Sequence, residues 1–243
     1  MLFECMKAEK RKLRHSIIWV APLFIPVIPS VMGAFNYLQN LSILTGEWYS
    51  LWTQYTLFYA DFFYAPLIAL YCSYLWRMEH VNHNWNLLMT MPVSPVHIFL
   101  GKLWAICKVT VITQLWMFLL FVVGGRLIGL SGWPSGEILL WALRGTLASL
   151  AIGSLQLLLS MCIRGFAVPI GIALAGSVAG LLLSNSGKGL YFPYSLMLMG
   201  MNSSSYEDKL AGSVYPFLAS TLFFSLLFCT LGILLLRQRD IRA

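Results

Sequence analysis

The sequence predicts an all-α integral membrane protein with six transmembrane helices. Of the 243 residues, 59% are hydrophobic and only 10% are charged, whereas a soluble domain carries about 25% charged residues. Six apolar stretches are each long enough to cross a bilayer as an α-helix, which takes about 20 residues. The stretches between them are too short to fold alone, so residues 1–243 are expected to form a single membrane domain.

The predicted spans follow the hydrophobic runs. They cover residues 16–35, 56–76, 98–123, 138–163, 166–184 and 217–236. Only Arg164 and Gly165 separate the fourth span from the fifth, so one broken or re-entrant element is the alternative there, and five spans is the alternative count. No small-residue cleavage site follows the prolines of the first run, which is therefore expected to be a retained span rather than a signal peptide.

The basic residues predict that both termini lie in the cytoplasm, because Lys and Arg accumulate on that side of a membrane. With this orientation the outside receives Arg126, Lys188 and Lys209, and Arg144 falls within span four. Twelve of the 16 basic residues then lie inside: Lys7, Lys10, Arg11, Lys12, Arg14, Arg77, Lys102, Lys108, Arg164, Arg237, Arg239 and Arg242. Trp48, Tyr49, Trp52, Tyr55 and Tyr59 are expected at the outer interface.

Two cytoplasmic segments have a helical, amphipathic pattern. Residues 1–15 mix apolar and basic side chains, which is typical of an interfacial helix, although a plain topogenic charge cluster explains them equally well. Between spans two and three, residues 79–89 would place Glu79 and His83 on one side of a helix and Trp85 on the other. Pro92 and Pro95 are expected to end that helix.

The second of these segments carries a family resemblance. Glu79, the stretch 84–87, the stretch 92–95 and Lys102, placed after span two, resemble the cytoplasmic loop of ABC-2 permeases. More narrowly, they are similar to small permeases of lantibiotic immunity and bacitracin resistance. The resemblance implies that this loop is a coupling helix seated in a cleft of an ATPase subunit, where Glu79 meets a basic partner. The residues that it implies for this helix are Glu79, His80, His83, Asn84, Trp85, Leu88 and Met89.

The resemblance also implies the partners. These are an ABC ATPase dimer that binds ATP and magnesium, a second and different permease subunit, membrane lipid and an amphipathic peptide. This chain itself is expected to bind no cofactor and to have no enzymatic activity. Its Gly187-Lys188 pair is followed by Gly189 rather than the Ser or Thr of a phosphate-binding loop. His80 and His83 lack the i, i+4 spacing of a zinc-binding HExxH helix, and no nucleic-acid partner is expected.

Five further residues are candidates for the substrate path or an outer site. Asp61 and Arg144 are ionisable groups within spans, so they are expected to pair or to line a cavity, although snorkelling to the interface explains them as well. Met197, Met199 and Met201 belong to an outer segment that is more apolar than a wetted loop. Methionine-rich surfaces accommodate varied apolar ligands.

The function predicted from these features is that of the permease subunit of a bacterial ABC exporter in the cell membrane. It would give immunity or resistance to a lantibiotic or bacitracin-like peptide by moving the peptide from the membrane to the outside. One alternative is an ABC-2 permease that exports a lipid, an ion or a polysaccharide. The other alternative is a non-transporting membrane assembly protein.

Overall fold

The computed structural model describes residues 1–14, 16–81 and 84–238, and all regular structure in them is helical. A 3₁₀-helix at Ile17–Trp19 leads directly into the helix that starts at Val20. A π-helix at Tyr59–Phe63 joins the helix that ends at Phe58 to the helix that starts at Tyr64. The α-helices are α1 (Leu2–Leu13), α2 (Val20–Phe24), α3 (Val27–Gln39), α4 (Glu47–Phe58), α5 (Tyr64–His80), α6 (Asn84–Thr90), α7 (Pro95–Ile128), α8 (Gly136–Cys162), α9 (Ala167–Asn185), α10 (Pro193–Gly200) and α11 (Val214–Gln238).

Within the described residues, six helical segments are long and apolar enough to cross a membrane, which confirms the predicted number. They are Ile17–Gln39, Glu47–His80, Pro95–Ile128, Gly136–Cys162, Ala167–Asn185 and Val214–Gln238. The fourth and fifth are separate helices, because Ile163 after Cys162 has extended backbone (φ −105°, ψ 112°). The second begins nine residues before its predicted start, since Glu47–Phe58 is helical as well.

The bundle has two different ends. At one end α1 lies along the start of α7, where Cys5 approaches Gly101, and α6 follows the end of α5. We call this the α1 end. At the opposite end, α10 and segment 201–213 pack against α8, and Trp52 donates a hydrogen bond to the carbonyl of Met201 at 2.8 Å.

The interior of the bundle is rich in aromatic side chains. Trp52 packs edge-on against Phe121 with ring centroids 5.1 Å apart, and Tyr59 stacks on Tyr64 at 4.9 Å. All four rings are almost completely buried. The position of Trp52 and Tyr59 at the outer interface stays a prediction, but their rings point inward onto α7 rather than towards lipid.

The helices at the periphery present apolar faces outward. Leu222, Phe223 and Leu226 of α11 are each more than half exposed, and so are Phe24 and Phe35 in the first span. Such exposure suits a lipid environment, since lipid tails are as apolar as these side chains. The buried and exposed faces of one helix are thus both hydrophobic, as expected for a membrane bundle.

Candidate functional site

Four charged side chains meet at the α1 end and join three helices. We call them the four-charge cluster: Glu9 and Lys12 of α1, Glu79 of α5 and Lys102 of α7. Lys102 Nζ lies 3.0 Å from Glu9 Oε1 and 2.7 Å from Glu79 Oε1. Lys12 Nζ lies 3.1 Å and 2.5 Å from the same two oxygens. Lys12 therefore links α1 to α5, and Lys102 links both of these helices to α7.

The four-charge cluster is almost sealed from solvent. Lys102 has no exposed surface, and Glu9 and Glu79 are only 6% and 4% exposed. A buried charge is costly unless an opposite charge and hydrogen bonds compensate it. Here two positive and two negative groups balance, and the ammonium of Lys102 also lies 4.9 Å from the ring centroid of Trp76. The burial of these charges is therefore compensated only while the three helices remain together.

Lys12 is the least buried member of the cluster, with a third of its side chain exposed. Burial lowers the pKa of Lys12, but the carboxylates of Glu9 and Glu79 outweigh burial and raise it above its ordinary value. Lys12 is therefore held as a cation at the edge of the cluster. Lys12 therefore lies on the side of the cluster that faces solvent.

The segment expected to form one helix from 79 to 89 is broken in two, which corrects that prediction. Glu79 and His80 complete α5, Val81 has extended backbone (φ −94°, ψ 148°), and α6 starts at Asn84. His83 lies outside the described residues. The physical reason is that Lys102 and Lys12 hold Glu79 inside the bundle, so the chain must turn before α6.

Glu79 was also expected to meet a basic partner on another subunit, and here its basic partners belong to the same chain. The outward positions near α6 are instead Asn84, Leu87 and Met91, with Leu87 58% exposed. Leu88 and Met89 are half-buried and pack towards the core. Leu87 was missed as a site residue, because its exposure depends on which way α6 is rotated.

An aromatic stack attaches α6 to the bundle. The ring centroids of His80 and Trp85 are 5.4 Å apart with an interplanar angle of 15°, and Trp76 lies 5.9 Å from Trp85. Asn84 adds a hydrogen bond of 2.9 Å from its side chain to the carbonyl of Met78. Movement of α6 is thereby linked to the end of α5, which also carries Glu79.

A cavity of about 950 Å³ opens between these elements. Its walls come from α1, the end of α5, α6 with the turn after it, and the start of α7. The residues lining it are Met1, Glu4, Cys5, Ala8, Glu9, Lys12, Tyr74, Arg77, Met78, Glu79, Val81, Asn84, Leu87, Leu88, Met91, Pro92, Val93 and Ile98. Three of the predicted site residues, Glu79, Asn84 and Leu88, thus share one cavity.

The ionisable candidates at the opposite end do not pair with each other, although Asp61 is buried and Arg144 is partly buried. Asp61 lies in the π-helix with no exposed surface, and Ser203 donates a hydrogen bond to its Oδ1 at 2.8 Å. Arg144 Nη1 instead lies 2.6 Å from Asp208 Oδ2. The expected pairing of Asp61 with Arg144 is wrong, because segment 201–213 lies against both and supplies a separate partner to each.

The methionines expected at an outer surface are packed inside. Met197 and Met201 have no exposed surface, and Met199 is only partly exposed. They belong to α10 and the residue after it, which pack against α8 and α9. The segment is apolar because it is part of the core, so it does not form the exposed methionine-rich surface that was expected.

Sequence reasoning did not bring Glu9, Lys12 and Lys102 together with Glu79. Lys102 was part of the family resemblance, Lys12 was attributed to membrane orientation, and Glu9 was not singled out. The available signal was a carboxylate within the basic amino-terminal stretch, at Glu9, and another just after the apolar run of span two, at Glu79. That signal does not say which lysine each carboxylate meets.

Comparison with known proteins finds one family. The model of the family described as ABC-2 family transporter protein matches residues 5–180, which is more than half of the chain. No curated protein and no solved structure matches. The matched part includes the four-charge cluster and α6.

Proposed function

The chain belongs to the ABC-2 family of transporter proteins, and from that premise we propose that it is the permease subunit of a bacterial ABC exporter. As a family member it is a multi-pass membrane transport subunit, and membership implies an ABC ATPase as its partner. In the proposal, ATP and magnesium bind to the ATPase dimer, and this chain converts the motion of the ATPase into transport. The chain lies in the plasma membrane with both termini in the cytoplasm.

The observation that carries the proposal is the four-charge cluster beside α6. The cluster ties α1 to the ends of spans two and three, and the aromatic stack of Trp76, His80 and Trp85 ties α6 to span two. A force that the ATPase applies to α6 would therefore be transmitted to spans two and three. Because ATP shifts an equilibrium only by favouring one state over the other, such a mechanical link is what the mechanism requires.

The proposed ATPase contact is the exposed edge of α6. Asn84, Leu87 and Met91 are exposed at the rim of the cavity, so α6 and the turn after it offer an apolar edge with one amide to a groove on the ATPase. Leu87→Asp places a charge in that groove and should reduce co-purification of the ATPase severalfold. Ile43→Asp is the matched control, since Ile43 is also an exposed apolar residue and lies between α3 and α4 at the opposite end. Equal ATPase recovery with both variants would contradict the assignment.

The proposed substrate is an amphipathic antimicrobial peptide, lantibiotic or bacitracin-like, which is moved from the membrane to the outside. Its support is the similarity of segment 79–102 to permeases of peptide immunity. A second, different permease chain is proposed to complete the pathway. The test is growth of strains with and without the gene across a panel of lantibiotics and bacitracin, with a hydrolysis-deficient ATPase as the control.

The growth test separates the candidate substrates. Sensitivity to one peptide class on loss of the gene, and equally on loss of ATP hydrolysis, supports the proposal. Unchanged sensitivity to every peptide, together with altered membrane lipid, ion content or surface polysaccharide, would assign another exported substrate. Failure to recover any ATPase with the purified chain would favour a membrane assembly protein.

A further inference from the structure

We propose that the cavity at the α1 end is a binding site for an anionic phospholipid. The headgroup phosphate would be held by Arg77, and one acyl chain would lie among the apolar side chains of α1 and α6. This site is separate from the proposed substrate path and does not depend on what the permease exports.

The size and depth of the cavity suit an acyl chain. Its volume of about 950 Å³ is at the top of the range of about 300–1,000 Å³ for ligand pockets. Tyr74, Met78 and Ile98 line it and belong to spans two and three. Tyr74 lies six residues before the end of α5, which is about 9 Å along the helix axis at about 1.5 Å per residue. The cavity therefore reaches from the membrane surface into the depth of the bundle.

Most of the lining is apolar. Leu88, Met91 and Val93 form one wall, and Cys5 and Ala8 of α1 form part of the facing wall. A soluble partner would contact α6 from outside, but it would have to extend past the ends of two spans to fill this space. A membrane lipid is already at that depth.

The charges around the cavity are complementary to an anionic headgroup. Of the carboxylates that line it, Glu4 pairs with Lys7 at 3.1 Å, and Glu9 and Glu79 belong to the four-charge cluster. Arg77 is exposed, and within residues 1–14, 16–81 and 84–238 no carboxylate forms a salt bridge with it. The cavity thus has one uncompensated cation at its edge.

The guanidinium of Arg77 is also oriented in advance. It lies 5.3 Å from the ring centroid of Phe166, at the start of α9. A planar guanidinium fixed on an aromatic face is well suited to bidentate binding of a phosphate. The basic side chains of α1, Lys10, Arg11 and Arg14 among them, attract anionic lipid to the same end.

The test is lipid binding to the purified full-length chain in detergent, measured by native mass spectrometry. The probe is palmitoyl-oleoyl phosphatidylglycerol, and phosphatidylcholine with the same chains tests the headgroup charge. Phosphatidylglycerol should bind about tenfold more tightly, because phosphatidylcholine has the same phosphate but adds a quaternary ammonium that is repelled by Arg77. Inorganic phosphate should not compete at millimolar concentration, because the acyl chain contributes to binding.

Two variants and two matched controls complete the test. Arg77→Gln should weaken phosphatidylglycerol binding about tenfold, whereas Arg126→Gln should not, although Arg126 lies in the same way over Trp133. Ala8→Trp places an indole in the cavity and should abolish binding of both lipids. Ala175→Trp, at an exposed position of α9 far from the cavity, should not change it. Ala8 and Arg77 are exposed, so neither variant disturbs the core.

Several outcomes would overturn the proposal. Equal affinity for the two phospholipids would show that the site does not select an anionic headgroup. Competition by inorganic phosphate alone would show that the site binds an anion rather than a lipid. Unchanged lipid binding with Ala8→Trp would show that the lipid binds elsewhere. If that variant also reduced co-purification of the ATPase, the cavity would be assigned to a segment of the ATPase instead.

Discussion

Lys102 is a lysine with no exposed surface near the end of a membrane-spanning helix, and Glu9 and Glu79 hold it there. Neither carboxylate alone would neutralise the two lysines that surround it. Each charge in the cluster therefore compensates the cost of burying the opposite charges beside it. Removing one member should therefore strongly destabilise the folded protein, because the remaining charges lose their compensation.

We expect Lys102→Ala to lower the free energy of unfolding by about 3–5 kcal/mol, because it leaves buried carboxylates short of a counter-charge. Lys108→Ala on the same helix is the control. Lys108 is exposed and lies over the ring of Trp104, so its loss should cost less than about 1 kcal/mol. Denaturant titration of the protein in detergent measures both. Similar losses for the two lysines would refute the role given to the cluster.

Asp208 gives a second prediction at this scale, for the attachment of segment 201–213. Burial raises the pKa of Asp208, but the hydrogen bonds from Arg144 and from the N–H of Leu210 outweigh it and lower the pKa below its ordinary value of 3.8. A lowered pKa in the folded state stabilises the fold above pH 3.8 and loses that contribution as the pH falls through the lower value. Acid should therefore loosen segment 201–213 from α8.

Hydrogen exchange of the backbone amides of segment 201–213 measures this loosening across the acid range. The control is Asp208→Asn, which should exchange faster near neutral pH and lack this acid-dependent step. Asp61 and Lys209 lie in the same region, so the comparison with the variant is what isolates Asp208. The same acid-dependent step in the variant would show that another group is responsible.

At the scale of elements, α10 is a short apolar helix held against α9 by two glycines. A Cβ at Gly180 would lie 2.9 Å from the backbone nitrogen of Ser195, and one at Gly176 would lie 2.5 Å from the ring of Tyr194. The absence of side chains at these positions lets α9 and α10 approach closely. Tyr194 also accepts a hydrogen bond of 2.6 Å from Gln156 of α8, so α10 is fixed between two spans.

We expect Gly180→Leu to destabilise the protein by about 1–3 kcal/mol, because overpacking forces α10 away from α9. Gly171→Leu on the same helix is the control, since a Cβ at Gly171 meets nothing within 4 Å. The midpoint of thermal unfolding in detergent distinguishes them. A lower midpoint for Gly171→Leu than for Gly180→Leu would mean that the outward face of α9 is the more constrained one.

At the scale of the whole molecule, we expect six spans to place both termini on one side of the membrane, and the basic residues predict that this side is the cytoplasm. A cysteine-free background requires replacement of the five native cysteines. Single cysteines at Ile43 and Gly132 should then react with a membrane-impermeant thiol reagent added to intact cells. A cysteine at Asn84 should react only after permeabilisation. The reverse pattern would invert the orientation.

The class of protein, the number of spans and their approximate limits follow from the sequence alone. Hydropathy is a sum over about 20 neighbouring residues, so a few polar side chains such as Asp61 or Lys102 do not change it. The presence of a helical connection between spans two and three was also predictable, because the prolines at 92 and 95 limit its length. These features depend on residues that are close in the chain.

Only the tertiary structure decided which side chains meet. Glu79 pairs with Lys12, which is 67 residues away, and Asp61 with Ser203, which is 142 residues away. Such contacts depend on the rotation and depth of whole helices, and in a membrane bundle both faces of a helix are apolar, so hydropathy does not distinguish the buried face. For the same reason the methionines of α10 were expected outside and lie in the core. In segment 79–89, likewise, Leu87 is exposed whereas Glu79 is buried.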